Sequence, residues 1–156
     1  MTTQCVAHGA DEMRAFGARL ARALLTAPAP ESLLVTLSGE LGAGKTTLVG
    51  GLLAELGHVG PARSPTYTLI EPYRLRGRDI THCDLYRLRH PDELDELGLR
   101  DLRSAGSVLL VEWPEKAGGR LGGADLTLTL DYAGPDARKL VAEACSPAGQ
   151  AVLKRL

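Results

Sequence analysis

Apolar residues in the first third of the chain change from a helical spacing to a continuous run. From about Asp11 to Leu25 they recur every three or four positions with arginines between them, which predicts an amphipathic surface helix. Ser32 to Leu37 is almost continuously apolar, as is typical of a buried parallel strand. A second helix is predicted from about Lys45 to Leu56. This part of the chain therefore has the order strand, glycine-rich loop, helix.

Residues that favour β-structure follow the second helix and predict a hairpin. Thr66 to Leu75 and about Asp79 to Leu85 flank an Arg-Gly-Arg turn. Beyond them, Pro91 and two acidic residues predict the start of a third helix. The leucines predicted to face inward from that helix are Leu94, Leu97, Leu99 and Leu102.

The last third of the chain predicts a further buried strand and a strand pair. Ser107 to Val111 is apolar and leads directly into Glu112-Trp113. Leucines alternate with polar residues from Leu126 to Leu130, and a second apolar segment follows a Gly-Pro turn, which predicts a peripheral antiparallel pair. A short terminal helix is predicted from Pro147 to Leu156.

Length and composition favour one globular domain over residues 1–156. The chain is 44% hydrophobic and 24% charged, with a formal net charge of −1. Its three separated cysteines predict neither a disulfide framework nor a zinc knuckle. No leader or bilayer-spanning segment is apparent, so a cytoplasmic protein without membrane contact is expected. The near-neutral charge predicts that any RNA contact depends on partner proteins.

The loop between the first strand and the second helix matches the Walker A pattern. It reads Gly39-Glu40-Leu41-Gly42-Ala43-Gly44-Lys45-Thr46, followed by Thr47. Such a loop directs backbone N–H groups into one concavity, and the helix dipole adds positive potential. Lys45 is predicted to reach the β- and γ-phosphates of ATP, and Thr46 to ligate Mg²⁺. The motif predicts an α/β, P-loop NTPase-like fold with a mostly parallel central sheet, helices on both faces and peripheral antiparallel strands.

Two acidic residues are candidates for the metal partner of this loop. Glu112 closes an apolar strand, as a Walker B acid does, and Asp84 lies near the end of another strand. Asp84 is predicted to hold a metal-bound water or to polarise the attacking water. His82 shares a strand face with Asp84 whereas Cys83 points to the opposite face, which argues against a joint zinc site. A satisfied, partly buried histidine is the alternative for His82.

Two further residues are candidates with open alternatives. Thr66 follows the Walker lysine at a distance where P-loop proteins often carry a γ-phosphate sensor, and it could bring a hydroxyl near the metal. The alternative for its neighbours is a proline turn that enters a strand. Trp113 follows Glu112 at the edge where α/β proteins bind ligands, and core packing is its alternative.

Five of these segments, in this order, resemble the TsaE (formerly YjeE) family of P-loop ATPases in bacterial tRNA threonylcarbamoyladenosine modification. Besides the loop at 39–47, they are Ser64-Pro65-Thr66-Tyr67, His82-Cys83-Asp84-Leu85-Tyr86-Arg87, Glu93-Leu94 with Gly98-Leu99, and Val111-Glu112-Trp113-Pro114.

The resemblance implies a role for each segment. It implies that Thr46 and Glu112 contact Mg²⁺, that Asp84 supports the metal or water, and that Ser64 to Tyr67 acts like a switch. It further implies ATP hydrolysis that resets the TsaD and TsaB transferase complex between turnovers, with tRNA contacted only through those partners.

The resemblance also implies where the adenine of ATP or ADP lies. It points to the start of the first helix, at Ala10 or Asp11, and to Asp136 after the late strand. The turn before Asp136 is shorter than the family pattern.

Two other functions are compatible with a P-loop. A small-metabolite kinase would use Asp84 as the base for a substrate hydroxyl, although an arginine-rich lid helix is not evident. A nucleotide-gated binding module would exchange partners without hydrolysis. A GTPase is disfavoured because the sequence has no Asn-Lys-x-Asp motif.

Overall fold

Seven strands form one sheet in residues 1–28, 31–61 and 69–156, the part of the chain that this computed structural model describes. The strands are β1 (Thr2–His8), β2 (Leu33–Ser38), β3 (Ile70–Leu75), β4 (Arg78–Asp84), β5 (Val108–Glu112), β6 (Leu126–Tyr132) and β7 (Ala137–Ala144). The helices are α1 (Gly9–Thr26), α2 (Lys45–Glu55), α3 (Glu93–Glu96) and α4 (Pro147–Leu153), with 3₁₀ turns at Leu99–Leu102 and Pro114–Ala117. None of these described helices combines the length and the apolar character needed to cross a bilayer.

The strand order is β1-β7-β6-β2-β5-β4-β3. The four central strands β6, β2, β5 and β4 run parallel to one another, and the outer pairings β1 with β7, β7 with β6, and β3 with β4 are antiparallel. This arrangement confirms the predicted α/β fold with a mostly parallel centre. Since Leu37 and Asp84 both pair with Glu112, the carboxyl ends of β2, β4 and β5 lie at one edge of the sheet.

Each face of the sheet is covered differently. Helices α1, α2 and α4 lie over one face, which we call the helix face, and their apolar residues pack against Val35, Val108 and Leu110. The other face, called the turn face, packs against α3 and the two 3₁₀ turns and includes Cys83 and Leu109. Alternate residues of a buried strand point in opposite directions, so both faces of the sheet are apolar and need cover. Helical segments cover both faces, as predicted.

Helices α1 and α2 approach each other at glycines. A Cβ atom on Gly17 would lie 2.1 Å from the Leu48 carbonyl oxygen, and one on Gly51 would lie 2.2 Å from the Arg14 carbonyl oxygen. No side chain fits at either position, so the two backbones are in direct contact. This contact fixes α2, whose first residues are Lys45 and Thr46, against α1.

The prediction of one helix beyond Pro91 was wrong. The segment forms the single turn α3 and then the 3₁₀ turn, separated by Gly98 in a left-handed conformation with φ of 66°. The break agrees with the low helix propensity of glycine. The leucines still face inward, because Leu94 and Leu99 are buried in the turn-face core.

The C-terminal strand pair is antiparallel as predicted, but β6 is not peripheral. It lies between β7 and β2 and pairs in parallel with β2 from Leu126 to Thr129. The outer position belongs to β1, which had no counterpart among the predicted elements. Most of β1 is exposed, so its sequence lacks the apolar periodicity that marks a buried strand.

Candidate nucleotide-binding site

The Walker A segment forms a loop between β2 and α2 that requires glycine at its two ends. A Cβ atom on Gly39 would lie 2.5 Å from the Leu130 carbonyl oxygen. Gly44 caps α2 with φ of 105°, and a Cβ atom there would lie 2.9 Å from Met13 Cε. The Ala43 side chain is buried beneath the loop. Close packing and left-handed backbone therefore account for the glycine spacing of the motif.

Lys45 is buried inside this loop. Its ammonium donates hydrogen bonds to the carbonyl oxygens of Gly39 and Glu40, the latter at 3.1 Å, and lies 4.3 Å from the centre of the Trp113 ring. Burial lowers the pKa of Lys45, and the negative charges of Glu112 and Asp84 partly oppose that effect. A partly desolvated cation therefore lies where the loop is predicted to bind phosphate.

Thr46 and Glu112 meet although they are far apart in the sequence. The Thr46 hydroxyl lies 3.3 Å and 3.4 Å from the two carboxylate oxygens of Glu112. Glu112 is only 2% exposed, whereas Thr46 is at the surface of the cavity. A hydroxyl and a carboxylate are hard oxygen donors of the type that Mg²⁺ prefers, so this pair fits the predicted metal.

Asp84 lies beside this pair, at the end of the neighbouring strand. Its Oδ1 accepts a hydrogen bond from the Tyr86 backbone N–H at 3.0 Å. Burial raises the pKa of the Asp84 carboxyl; the Tyr86 hydrogen bond lowers it, and the charge of Glu112 raises it further. The side chain is half-buried and lines the same cavity as Lys45 and Glu112.

These residues enclose a cavity of about 210 Å³ at the carboxyl edge of the parallel strands. The lining consists of Leu41, Gly42, Ala43, Gly44, Lys45, Thr46, Thr47, Asp84, Tyr86, Glu112 and Trp113. The structure thus brings together the predicted phosphate-loop residues, both acidic residues and the tryptophan. Of the remaining loop residues, Gly39 and Glu40 contribute carbonyl oxygens to Lys45.

His82 belongs to this cluster, which the sequence interpretation left undecided. Its ring is 0% exposed, and its Nε2 lies 2.5 Å from Glu112 Oε2. Cys83 points to the turn face, as strand alternation predicts, and burial raises the pKa of its thiol to about 12. His82 and Glu112 are 30 residues apart, and no sequence pattern predicted their contact. The only indication was that His82 shares a strand face with Asp84.

Trp113 lies between the cavity and the turn-face core. It lines the cavity, its ring centre lies 5.0 Å from that of Tyr86, and it also contacts the turn-face core. Its backbone is left-handed, with φ of 58°. This uncommon conformation for a tryptophan turns the ring toward Lys45 as β5 ends.

A second cavity, of about 240 Å³, adjoins the phosphate loop on the side of α1. Its lining consists of Gly9, Ala10, Met13, Gly42, Ala43, Gly44, Thr47, Pro135, Asp136 and Arg138. Four of these residues also line the first cavity. Ala10 and Asp136 are thus brought together as predicted, and the Gly9 N–H donates to the Asp136 carbonyl oxygen at 2.8 Å.

Of the alternatives Ala10 and Asp11, only Ala10 lines this second cavity. The Asp11 side chain is 97% exposed and pairs with Arg14 at 2.6 Å. Arg138 lines the cavity instead and was not predicted; its guanidinium lies 4.2 Å from the centre of the Tyr132 ring. The Tyr132 hydroxyl in turn donates to the Leu41 carbonyl oxygen at 2.8 Å. Tyr132 of β6, against which Arg138 of β7 packs, therefore holds the loop at Leu41.

Thr66 and the switch-like segment Ser64 to Tyr67 lie outside the described residues. Their predicted roles stay predictions. Among the described residues, no group of three or more histidine, cysteine or acidic side chains has a metal-binding arrangement of its own.

The sheet, the glycine-rich loop and the clustered polar residues define a class: an α/β protein with a P-loop NTPase-like fold. Comparison with known proteins narrows the class. The family model for the threonylcarbamoyl adenosine biosynthesis protein TsaE matches residues 7–140. The chain belongs to the TsaE family.

Curated relatives and a solved structure agree with this assignment. The chain is 47% identical to the tRNA threonylcarbamoyladenosine biosynthesis protein TsaE of Haemophilus influenzae over 120 residues, which are 77% of this chain and 76% of the relative. It is 44% identical to the Streptomyces coelicolor TsaE, over 66% of this chain and 68% of the relative. The crystal structure of Bacillus subtilis YdiB superimposes with a TM-score of 0.75 at 27% identity, covering 99% of this chain and 93% of YdiB.

Proposed function

We propose that this protein is a Mg²⁺-dependent ATPase that supports tRNA threonylcarbamoyladenosine biosynthesis. The observation that carries the proposal is the convergence of Lys45, Thr46, Asp84 and Glu112, from three different elements, on one cavity beside a glycine-rich loop. A loop that only capped a helix would need neither a buried lysine nor two acidic side chains at the adjacent strand ends. The combination favours nucleotide chemistry over simple packing.

Each polar group has a distinct part in the proposed reaction. The Lys45 ammonium and the loop N–H groups bind the phosphates of ATP. Thr46 and Glu112 would hold Mg²⁺, which when bound neutralises phosphate charge. Asp84 accepts a hydrogen bond from the attacking water, and the Tyr86 N–H, which donates to its Oδ1, holds the carboxylate in place.

The second cavity is the proposed place of the adenosine moiety. It shares its loop residues with the phosphate cavity, which supports a single nucleotide that would extend from Lys45 toward Ala10 and Asp136. Arg138 borders this cavity with a planar cation already stacked on Tyr132, and it is available to contact the base or ribose.

The proposed partners are TsaD and TsaB, whose complex this protein would reset through ATP hydrolysis. Family membership supports a role in the pathway, and the net charge of −1 agrees with tRNA binding by the partners rather than by this chain. The proposed location is the cytoplasm, where tRNA is modified.

Hydrolysis by the purified protein tests the proposal. The wild type should release phosphate from ATP only with Mg²⁺, and Lys45→Ala should lower the rate by about 100-fold or more, because a charged phosphate contact is lost. Lys154→Ala is the matched control, since Lys154 is an exposed lysine that lines neither cavity. A Lys45→Ala protein as active as the control would contradict the proposed site.

A further inference from the structure

A fully buried imidazole lies behind Glu112 and has no part in the reaction just described. His82 is 0% exposed, and its Nε2 is 2.5 Å from Glu112 Oε2. Its other ring nitrogen, Nδ1, is buried without a hydrogen-bond partner among the described residues. Glu112 is itself buried, so the contact is shielded from water on both sides.

Packing alone does not explain a histidine at this position. Ile80, on the same face of β4, and Leu110, the strand partner of His82, are both apolar and buried. An aliphatic residue at 82 would match these neighbours and leave no unpaired nitrogen, whereas burial of a polar atom without a partner is unfavourable. The imidazole must therefore supply something that an apolar side chain cannot.

The contact itself indicates what the imidazole supplies. A Glu112 that holds a metal must be ionised, and an ionised carboxylate only accepts hydrogen bonds. In that state the His82 nitrogen that faces it is the donor. The Glu112 side chain has three rotatable bonds, and this donor restrains one carboxylate oxygen from behind. The carboxylate is then held with both oxygens near the Thr46 hydroxyl, at 3.3 Å and 3.4 Å.

We infer that His82 is a positioning residue that orients the Glu112 carboxylate toward Thr46 and thereby raises the affinity of the nucleotide site for its divalent cation. The inference rests on the proposed Mg²⁺-ATP site, and it assigns a function to a contact that the proposal does not use. Hydrogen-bond partners behind metal ligands generally have this effect, and their loss lowers metal affinity by about 10–100-fold.

Three substitutions separate positioning from packing. His82→Gln retains an N–H donor, because the Gln amide nitrogen is as many bonds from Cα as the His Nε2. His82→Leu fills the space but removes the donor. Cys83→Ala is the matched control: Cys83 is the adjacent residue of β4, equally buried, and points to the opposite face.

The measurement is binding of a fluorescent ATP analogue, first in EDTA and then at increasing Mg²⁺ concentration. We expect His82→Leu to bind the analogue in EDTA within about threefold of wild type but to need about 10–100-fold more Mg²⁺ for half-maximal effect. His82→Gln should recover most of the difference, and Cys83→Ala should change neither value. An unchanged Mg²⁺ requirement in a folded His82→Leu protein would overturn the inference, as would a His82→Gln protein that behaves like His82→Leu.

A spectroscopic measurement keeps the inference testable if His82→Leu does not fold. In ¹⁵N NMR spectra of the wild type, His82 should be protonated at Nε2 and hydrogen-bonded, and Glu112→Gln should shift this signal. A signal at Nδ1 instead, or one insensitive to Glu112→Gln, would refute the positioning role. If the wild type bound no ATP analogue with or without Mg²⁺, the proposed function would fail, while the NMR result would still report on the contact.

Discussion

Near their carboxyl ends, strands β4 and β5 carry polar side chains on one face and apolar side chains on the other. On the helix face, His82 and Glu112 form a buried polar pair beside Asp84. On the turn face, Cys83 and Val111 are fully buried in an apolar core. Near the carboxyl ends of the two strands, polar groups thus lie on the helix face and apolar groups on the turn face. Further along the helix face, Ile80, Val108 and Leu110 are apolar.

The difference shows how one strand serves two purposes. Side chains on the turn face stabilise the sheet through burial, so their loss should affect unfolding before it affects chemistry. The polar groups on the helix face are unfavourable to bury and are retained beside the cavity, where they meet Lys45 and Thr46. Adjacent residues should therefore give opposite responses to mutation.

The largest effect on stability is expected at Leu85, on the turn face directly after β4. Leu85→Ala should lower the free energy of unfolding by about 2–5 kcal/mol, because it leaves a cavity in a fully buried position. Denaturant unfolding measures the loss, and the kcat of ATP hydrolysis below the unfolding transition should stay near the wild-type value. Val59→Ala, at a position 92% exposed, is the aliphatic control. Equal unfolding midpoints for the two variants would break the comparison.

Asp84, the residue before Leu85, should respond in the opposite way: its substitution should lower activity and not stability. Asp84→Asn is expected to lower ATP hydrolysis by about 100-fold, because the amide is a poor acceptor for the water proton. Thermal unfolding without nucleotide should occur at a higher temperature than in wild type. Burial raises the pKa of Asp84, so its ionised form is less favourable in the folded state than in the unfolded state.

The pH dependence of the Tm difference is the control for Asp84→Asn. Protonated Asp84 stabilises the folded state relative to the unfolded state. This contribution to the free energy of unfolding is complete below the ordinary carboxyl pKa and is lost as pH rises through the raised pKa of the folded protein. The Tm difference between Asp84→Asn and wild type should therefore be largest at neutral pH and shrink below about pH 4. A variant less stable than wild type at neutral pH would contradict the assigned cause.

A smaller effect, affecting both stability and binding, is expected where α1 meets α2. Gly17→Ala should lower the free energy of unfolding by about 1–3 kcal/mol, because its methyl group would overlap the Leu48 carbonyl oxygen. It should also weaken ATP binding, since displacement of α2 moves Lys45 and Thr46. Gly123→Ala, in open space, is the control. Unaltered ATP affinity in a destabilised Gly17→Ala protein would separate helix packing from the site.

The smallest effect concerns thiol reactivity. Cys83 should resist alkylation in the folded protein, because burial raises its pKa to about 12 and excludes the reagent. Cys145 is exposed and should react at an ordinary rate. Mass spectrometry after brief treatment with iodoacetamide distinguishes the two. Rapid labelling of Cys83 in native buffer would show that the turn face opens readily.

Much of this arrangement could be predicted because it depends on local pattern. The phosphate loop is contiguous, so its glycines, Lys45 and Thr46 were evident from spacing, and the alternation within β4 correctly separated His82 from Cys83. Glu112 was found because a single acid closes an apolar strand. These signals require no knowledge of which strands are neighbours.

What was missed depends on long-range pairing. The contact of His82 with Glu112 exists only because β4 lies beside β5, and the interior place of β6 only because it pairs with β2. Arg138 lines the second cavity from the start of β7, which the turn after β6 brings there. Asp11 instead is exposed to solvent beside Arg14. Sequence periodicity carries no information on such contacts.

Multiple-turnover threonylcarbamoylation of tRNA, reconstituted with TsaD, TsaB and the threonylcarbamoyl donor, tests the central claim most directly. Addition of this protein with ATP and Mg²⁺ should carry the reaction beyond one modified tRNA per complex, and Lys45→Ala or Glu112→Ala should stop it at the first turnover. If those variants lost ATP hydrolysis but still sustained repeated turnovers, the hydrolysis-dependent account would be wrong and a nucleotide-gated binding module would be favoured.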